Sequence, residues 1–131
     1  MTKHQPAQIL VCDDDDIFRT FFERVLKSAG IEALSAADGD EAIEVLDSKY
    51  RDIALVLVDL LMPVRSGWEV IQFMQEHEHL KNIPVIAVTG LEPDPAEMKK
   101  INRYCAAVIH KGGDFDIEGL LARIKELINK D

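Results

Sequence analysis

Polar side chains follow four short apolar runs of the sequence, at the point where each run ends. The runs are residues 9–12, 53–58, 84–88 and 106–109, and none is long enough for a typical helix. The polar groups that follow them are four consecutive aspartates at 13–16, then Asp59, Thr89 and Lys111. The set combines several carboxylates with one hydroxyl and one ammonium group.

This combination of groups is suited to phosphoryl transfer. Clustered carboxylates repel one another, and a bound divalent cation relieves that repulsion. Oxygen-only ligands select a hard ion, and a few carboxylates completed by water suit Mg²⁺ better than Ca²⁺. A lysine and a hydroxyl can hold the oxygens of a phosphoryl group, and a carboxylate can itself be the nucleophile. We therefore expect Mg²⁺ to bind here and an aspartate to accept phosphate.

The elements that position these side chains alternate between strand and helix five times. Residues 53–58 (IALVLV) are continuously apolar, which is typical of a strand buried on both faces of a parallel sheet. The apolar positions 18, 21, 22, 25, 26 and 29 follow helical spacing, and Gly30 can end that helix. The pattern predicts an α/β fold, a flavodoxin-like doubly wound sheet of five parallel strands with five helices. Ligands of such sheets bind beyond the carboxyl ends of the strands, where the polar groups lie.

Length and composition predict one acidic domain in this sequence. With 131 residues, we expect a tail over residues 1–7 and a single domain over 8–131. The 24 acidic residues exceed the 15 Lys and Arg, giving a net charge of −9, which argues against direct binding to nucleic acid or to an anionic membrane. Cys12 and Cys105 lie in apolar surroundings and are interpreted as buried, reduced thiols. Without a membrane span or signal peptide, the expected location is cytoplasmic.

The same segments resemble the receiver domain of response regulators in two-component signalling, similar to the chemotaxis regulator. The matching segments are ILVCDDDD, LVLVDLLMPVRSGWEV, IPVIAVTG and AVIHKGG, and they cover the chain from about residue 8 onward. The run from Asp59 through Met62-Pro63 to Gly67 is the most specific part. A receiver domain is a phosphoacceptor in a phosphorelay and not an enzyme in the usual sense. At most, it phosphorylates itself from small donors and removes its own phosphate.

The resemblance implies a role for each site residue. Asp59 resembles the phosphoacceptor, Thr89 the hydroxyl that turns towards the phosphoryl group, and Lys111 the lysine that pairs with a phosphoryl oxygen. The implied ligands of Mg²⁺ are Asp13, Asp14, Asp59 and the backbone carbonyl of Leu61. The implied donor is a phosphohistidine on a sensor histidine kinase or on a histidine phosphotransfer protein. Phosphorylation then switches a surface of the fourth helix, fifth strand and fifth helix that an unknown downstream protein reads.

Three features depart from the family pattern. Gly112 and Gly113 follow Lys111 where the family usually has proline, so we expect a looser loop and a less rigidly aimed lysine. Val108 stands where the family has its switch aromatic. Leu61 and Leu91, each two residues after a site residue, are apolar, which predicts that they shield the acyl phosphate.

Two other functions are compatible with parts of the sequence. One is a receiver-like scaffold that does not use phosphate. The absence of the family's proline and switch aromatic is compatible with this interpretation. The other is a phosphatase resembling the haloacid-dehalogenase family, whose D-x-D motif Asp13 to Asp15 can mimic, with Asp13 as the nucleophile. That reading leaves the motif around Asp59 unused.

Overall fold

The computed structural model describes residues 6–112 and 116–129, and this part contains one five-stranded parallel sheet. Its strand order is β2-β1-β3-β4-β5, with every neighbouring pair parallel. The strands are β1 (Gln8–Cys12), β2 (Glu32–Ala36), β3 (Ile53–Asp59), β4 (Val85–Thr89) and β5 (Ala107–His110). The predicted α/β doubly wound fold is confirmed, with strand limits within one residue of those expected.

Five α-helices connect and cover the strands. They are α1 (Asp16–Ser28), α2 (Gly39–Lys49), α3 (Gly67–Gln75), α4 (Pro95–Tyr104) and α5 (Ile117–Ile128). A one-turn 3-10 helix at Tyr50–Asp52, which the sequence pattern did not indicate, leads into β3. Side chains of Asp15, Asp38, Ser66 and Asp94 cap the first four helices by accepting backbone N–H bonds. Helix starts were therefore easier to predict than the 3-10 turn.

The central strand β3 supplies apolar side chains to both faces of the sheet. Val56 and Val58 belong to the core on the side of α2, α3 and α4, while Leu55 and Leu57 belong to the core on the side of α1 and α5. All four are buried. The continuous apolar run was correctly read as a strand covered by helices on both sides.

Helix α1 differs from the predicted pattern in how much of its apolar face is buried. Phe22 and Leu26 are buried against the sheet, whereas Phe21 lies at the edge of the buried face and is exposed. The buried face of α1 is centred on Phe22 and Leu26, and Phe21, about 100° around the axis from Phe22, falls at its edge. Gly30 ends the helix with a φ of 77°, as expected for a residue that tolerates positive φ.

Candidate functional site

The carboxyl ends of β1, β3, β4 and β5 bring the predicted site residues together at one edge of the sheet. Asp59 is the last residue of β3 and Thr89 the last of β4, while Asp13 and Lys111 directly follow β1 and β5. Asp13, Asp59 and Thr89 are the buried polar or charged residues of the described chain. The fold therefore places its few buried polar side chains in one pocket.

The four consecutive aspartates divide into two pairs with different tasks. Asp15 caps α1 by accepting hydrogen bonds from the backbone N–H groups of Ile17 and Phe18 at 3.0 and 3.4 Å. Asp16 opens the helix and forms an ion pair with Arg19. Asp13 is buried, and its Oδ1 accepts the N–H of Asp15 at 2.9 Å. Helix capping therefore explains the second pair and leaves the first pair free to face the pocket.

Arg19, which no sequence motif marks, orders this acidic loop. Its guanidinium donates to the backbone carbonyl of Asp13 at 2.7 Å and also to the Asp16 carboxylate. One side chain of α1 thus ties together both ends of the aspartate run. An arginine five residues after an acidic pair is too common on helices for the sequence alone to signal this contact.

Lys111 is the cation at the centre of the pocket. Its Nζ lies 2.9 Å from Asp59 Oδ2 and 3.0 Å from Asp13 Oδ1, and its side chain is 20% exposed. Burial by itself lowers the pKa of Lys111, but the hydrogen bonds to Asp59 and Asp13 outweigh burial and raise that pKa. The lysine therefore stays charged and bridges two carboxylates that otherwise repel each other.

The carboxylates of Asp13, Asp14 and Asp59 form a set that fits a hard divalent cation. One carboxylate oxygen from each lies within 4.8 Å of the others. Burial raises the pKa of Asp13 above its usual value, partly opposed by the N–H of Asp15 and by Lys111. Two of these carboxylates are buried and one is exposed, and the single positive charge of Lys111 leaves the cluster with a net negative charge. Oxygen ligands of this kind suit Mg²⁺, which keeps part of its hydration shell when bound.

Thr89 and Leu61 lie at the predicted places, although their atoms are engaged in local contacts. The Thr89 hydroxyl donates to the carbonyl of Leu91 at 2.9 Å and accepts the N–H of the same residue at 3.2 Å. The N–H of Leu61 donates to Asp59 Oδ1 at 3.1 Å. The roles of the Thr89 hydroxyl towards phosphate and of the Leu61 carbonyl towards metal stay predictions.

The spacing between Asp59 and Gly67 has a packing cause. A Cβ on Gly67 would lie 2.2 Å from the carbonyl oxygen of Asp59, far inside contact distance. The N–H of Gly67 also donates to the Leu60 carbonyl at 3.1 Å. The first turn of α3 thus rests directly on the backbone of the central aspartate, and only glycine permits that approach.

The loop between β3 and α3 contains a strained residue that the sequence did not reveal. Val64 has a φ of 69°, which is unfavourable for a β-branched side chain, and it is 77% exposed. The N–H of Arg65 donates to the carbonyl of Pro63 at 2.7 Å, closing a tight three-residue turn around Val64.

Like Val64, the side chains of Leu61, Leu91 and Ile17 are exposed. Exposed apolar side chains therefore stand on the loops and the helix start that follow the strands.

The predicted departures from the family pattern can be located in part. Val108 is half-buried in β5 and packs against the core beside α4. Among the described residues there is no cis peptide bond, so the Lys111–Gly112 peptide is trans. Gly113 lies outside the described residues, as do His4 and most of the tail predicted over residues 1–7.

The comparison with known families agrees with this geometry. The family model of the response regulator receiver domain matches residues 9–125. The chain belongs to this family. Receiver domains act in two-component signalling as phosphoacceptor modules, and this chain is a signalling domain of that class.

Relatives of this receiver domain include proteins of several architectures. It is 40% identical over 90 residues to the CAI-1 autoinducer sensor kinase/phosphatase CqsS of Vibrio cholerae, covering 68% of this chain and 13% of that protein. It is 34% identical over 125 residues to response regulator RR06 of Streptococcus pneumoniae, covering 93% of this chain and 53% of that protein. The chain thus spans about half or less of the length of these two relatives.

Solved structures of receiver proteins have the same fold. A response regulator receiver protein from Pseudomonas putida is 29% identical, with a TM-score of 0.78 over 99% of this chain and all of that one. Vibrio cholerae chemotaxis protein CheY4 is 25% identical, with a TM-score of 0.80 over 93% of this chain and 98% of that one.

Within the described residues, no helix is both long and apolar enough to cross a bilayer.

Proposed function

We propose that this receiver domain accepts a phosphoryl group from a phosphohistidine on Asp59, with Mg²⁺ bound by Asp13, Asp14 and Asp59 and by the Leu61 carbonyl. The observation that carries the proposal is the position of Asp59. Its side chain is 6% exposed, and its carboxylate is hydrogen-bonded to Lys111 and lies within 4.8 Å of two further carboxylates. A carboxylate held in this way is aligned as a nucleophile while its charge is offset by a fixed cation.

The chemistry assigned to each residue follows from charge. An Asp59 oxygen attacks phosphorus, the bond between phosphorus and the donor imidazole breaks, and the imidazole leaves with that electron pair. Lys111 is within reach of the oxygens that gain negative charge, and the Thr89 hydroxyl reaches them if it exchanges its loop partner Leu91 for phosphate. Bound Mg²⁺ supplies the additional positive charge that the three carboxylates and the incoming phosphoryl group require.

The surroundings of the pocket support a protein as the donor. Ile17, Leu61, Val64 and Leu91 are exposed apolar side chains on the loops and helix start that follow the strands. Exposed apolar side chains at this edge of the sheet are better covered by a protein surface than left in water. The partner we propose is a sensor histidine kinase or a histidine phosphotransfer protein.

Lys111 also links the pocket to the surface proposed to bind a downstream protein. It directly follows β5, and its N–H donates to the Thr89 carbonyl at 2.9 Å. If Lys111 and Thr89 both move towards a phosphoryl group, the start of the β4–α4 loop and the end of β5 move with them. A downstream protein that contacts α4, β5 and α5 would sense this change.

Phosphorylation of the purified chain by acetyl phosphate with Mg²⁺ tests the proposal. Mass spectrometry should find one added phosphoryl group on Asp59. Asp59→Asn should abolish the label, while Asp47→Asn, at an exposed position of α2, should keep it. A label on Asp13 that survives Asp59→Asn would instead indicate the phosphatase of the haloacid-dehalogenase type. Mg²⁺ binding without any label, including from phosphorylated kinases, would favour the scaffold.

A further inference from the structure

A phenylalanine of α1 forms the floor beneath the central lysine. The Lys111 ammonium lies 4.7 Å from the centre of the Phe18 ring. Within this distance, an ammonium group is attracted by the negative face of the ring. Phe18 lies in the first turn of α1, directly after the capped acidic loop. The lysine therefore has a third contact besides the two carboxylates.

The Phe18 ring is itself held by other aromatic rings. Its centroid lies 4.8 Å from that of Phe22 in an edge-to-face arrangement and 6.4 Å from that of Phe21. Phe22 is buried in the core beneath α1. Edge-to-face pairs at these distances are favourable and directional. Phe22 thus supports the Phe18 ring from the core, and the Phe18 ring in turn contacts the ammonium group of Lys111.

The residue after Lys111 gives its backbone little restriction. The next residue is Gly112, which does not restrict the backbone as proline does. Its side chain has four rotatable bonds, whose freedom must be lost when the ammonium is fixed in one place. Among the described residues, the contacts recorded for the ammonium are the Asp13 and Asp59 carboxylates and the Phe18 ring.

The two carboxylates are engaged by the reaction, whereas the ring is not. Under the proposed function, Asp13 and Asp59 bind metal, and Asp59 becomes an acyl phosphate. The partners of Lys111 therefore change during the reaction, while the ring remains the same before and after transfer.

We propose that Phe18 is a positioning residue for Lys111: its ring holds the ammonium at the phosphoacceptor through a cation–π contact. This inference rests on the proposed function, since Lys111 must reach the phosphoryl oxygens. It does not require Phe18 to touch phosphate or metal.

The test alters the Phe18 ring in the whole chain. Phe18→Leu removes the ring face, Phe18→Tyr keeps it, and mono-, di- and trifluorophenylalanine at position 18 weaken its negative face stepwise at nearly constant shape. The expected result for Phe18→Leu is a phosphorylation rate from phosphoramidate, at saturating Mg²⁺, about three- to tenfold lower. Phe18→Tyr should restore the rate to within about twofold, and successive fluorination should lower it progressively.

A matched control and a second measurement separate positioning from packing. Phe73→Leu removes a ring of α3, which packs on the opposite face of the sheet from Phe18, and should leave the rate within about twofold of the unmodified protein. If Phe18→Leu slows the reaction but fluorination has no effect, the ring acts by packing alone and the proposal is wrong. Equal rates in the Leu variant and the unmodified protein overturn it as well.

The contact can also be tested without phosphate. NMR of the Lys111 side chain should show a ring-current shift of the Hε resonances that disappears in Phe18→Leu and persists in Phe18→Tyr. Failure to phosphorylate any form, with this shift present, would refute the proposed function and leave the contact standing. Absence of the shift in the unmodified protein would refute the contact itself.

Discussion

Removing the central lysine should destabilise the apo domain and strengthen its binding of Mg²⁺. Lys111→Met keeps most of the side-chain volume but leaves the buried carboxylates of Asp13 and Asp59 without their shared cation. At separations of 2.9 Å, each ion pair has a gross Coulomb energy of about 6 kcal/mol at an effective dielectric constant of about 20. Desolvation of the lysine offsets much of this energy, so the net effect is smaller.

The net magnitude follows from measurements on comparable pairs. Breaking a fully buried ion pair costs roughly 3–5 kcal/mol, because one charge remains buried without a partner. Lys111 is 20% exposed and Asp14 is at the surface, so water and counterions reach one side of the site. We therefore expect a loss of about 2–3 kcal/mol in the free energy of unfolding without metal. Mg²⁺ should recover most of it, since it then neutralises carboxylates that have no competing cation.

Urea denaturation in EDTA and in saturating Mg²⁺ measures both effects. Lys99→Met, at an exposed position of α4, is the matched control because it also removes one positive charge from a chain of net charge −9. The control should change the unfolding free energy by less than about 0.5 kcal/mol. The electrostatic account of the pocket is wrong if Lys111→Met lowers the free energy of unfolding no more than Lys99→Met does. It is also wrong if the Lys111→Met variant binds Mg²⁺ no more tightly than the unmodified protein.

Four further measurements test other parts of the structure. At ten times its dissociation constant, Mg²⁺ should raise the free energy of unfolding by about 1.4 kcal/mol, and Asp14→Asn should greatly reduce this gain in a calorimetric titration. Leu91→Asn should shorten the lifetime of the acyl phosphate, followed by loss of label after donor removal, because a polar side chain at this exposed position admits the attacking water; an unchanged lifetime would rule out shielding by this leucine. Val64→Asn should raise the unfolding free energy by about 1 kcal/mol, since asparagine tolerates a φ of 69° far better than valine; a loss of stability in a thermal melt would contradict the strain argument. Burial raises the pKa of the Cys105 thiol to about 11, so iodoacetamide at pH 7.5 should modify it far more slowly than a free thiol; alkylation at the rate of a model peptide would show that the thiol is not buried in solution.

Much of the candidate site could be predicted because each residue is attached to a local signal. Asp13, Asp59, Thr89 and Lys111 all stand next to apolar runs of strand length, and the topology of a parallel sheet brings those ends together. The division of the aspartate run was predictable for the same reason, since a helix start demands a capping side chain and Asp15 supplies it.

Other features had no local signal because they arise between segments distant in the sequence. The contact between Phe18 and Lys111 joins residues 93 positions apart, and the spacing of aromatic residues in α1 predicts only a buried face. The same spacing put Phe21 on the apolar face of α1, and the rotation of the helix, which is set by Phe22 and Leu26 packing on the sheet, leaves it exposed.

The sequence by itself determined the order of strands and helices, the parallel sheet and the set of groups at its carboxyl edge, because periodicity, helix caps and apolar runs are local properties of the chain. Only the tertiary structure decided what those groups touch: Lys111 between two carboxylates and above an aromatic ring, Thr89 turned to its own loop, and Val64 strained and exposed beside the pocket. These contacts depend on helix rotation and loop closure, which are settled by the packing of the whole domain rather than by any one segment.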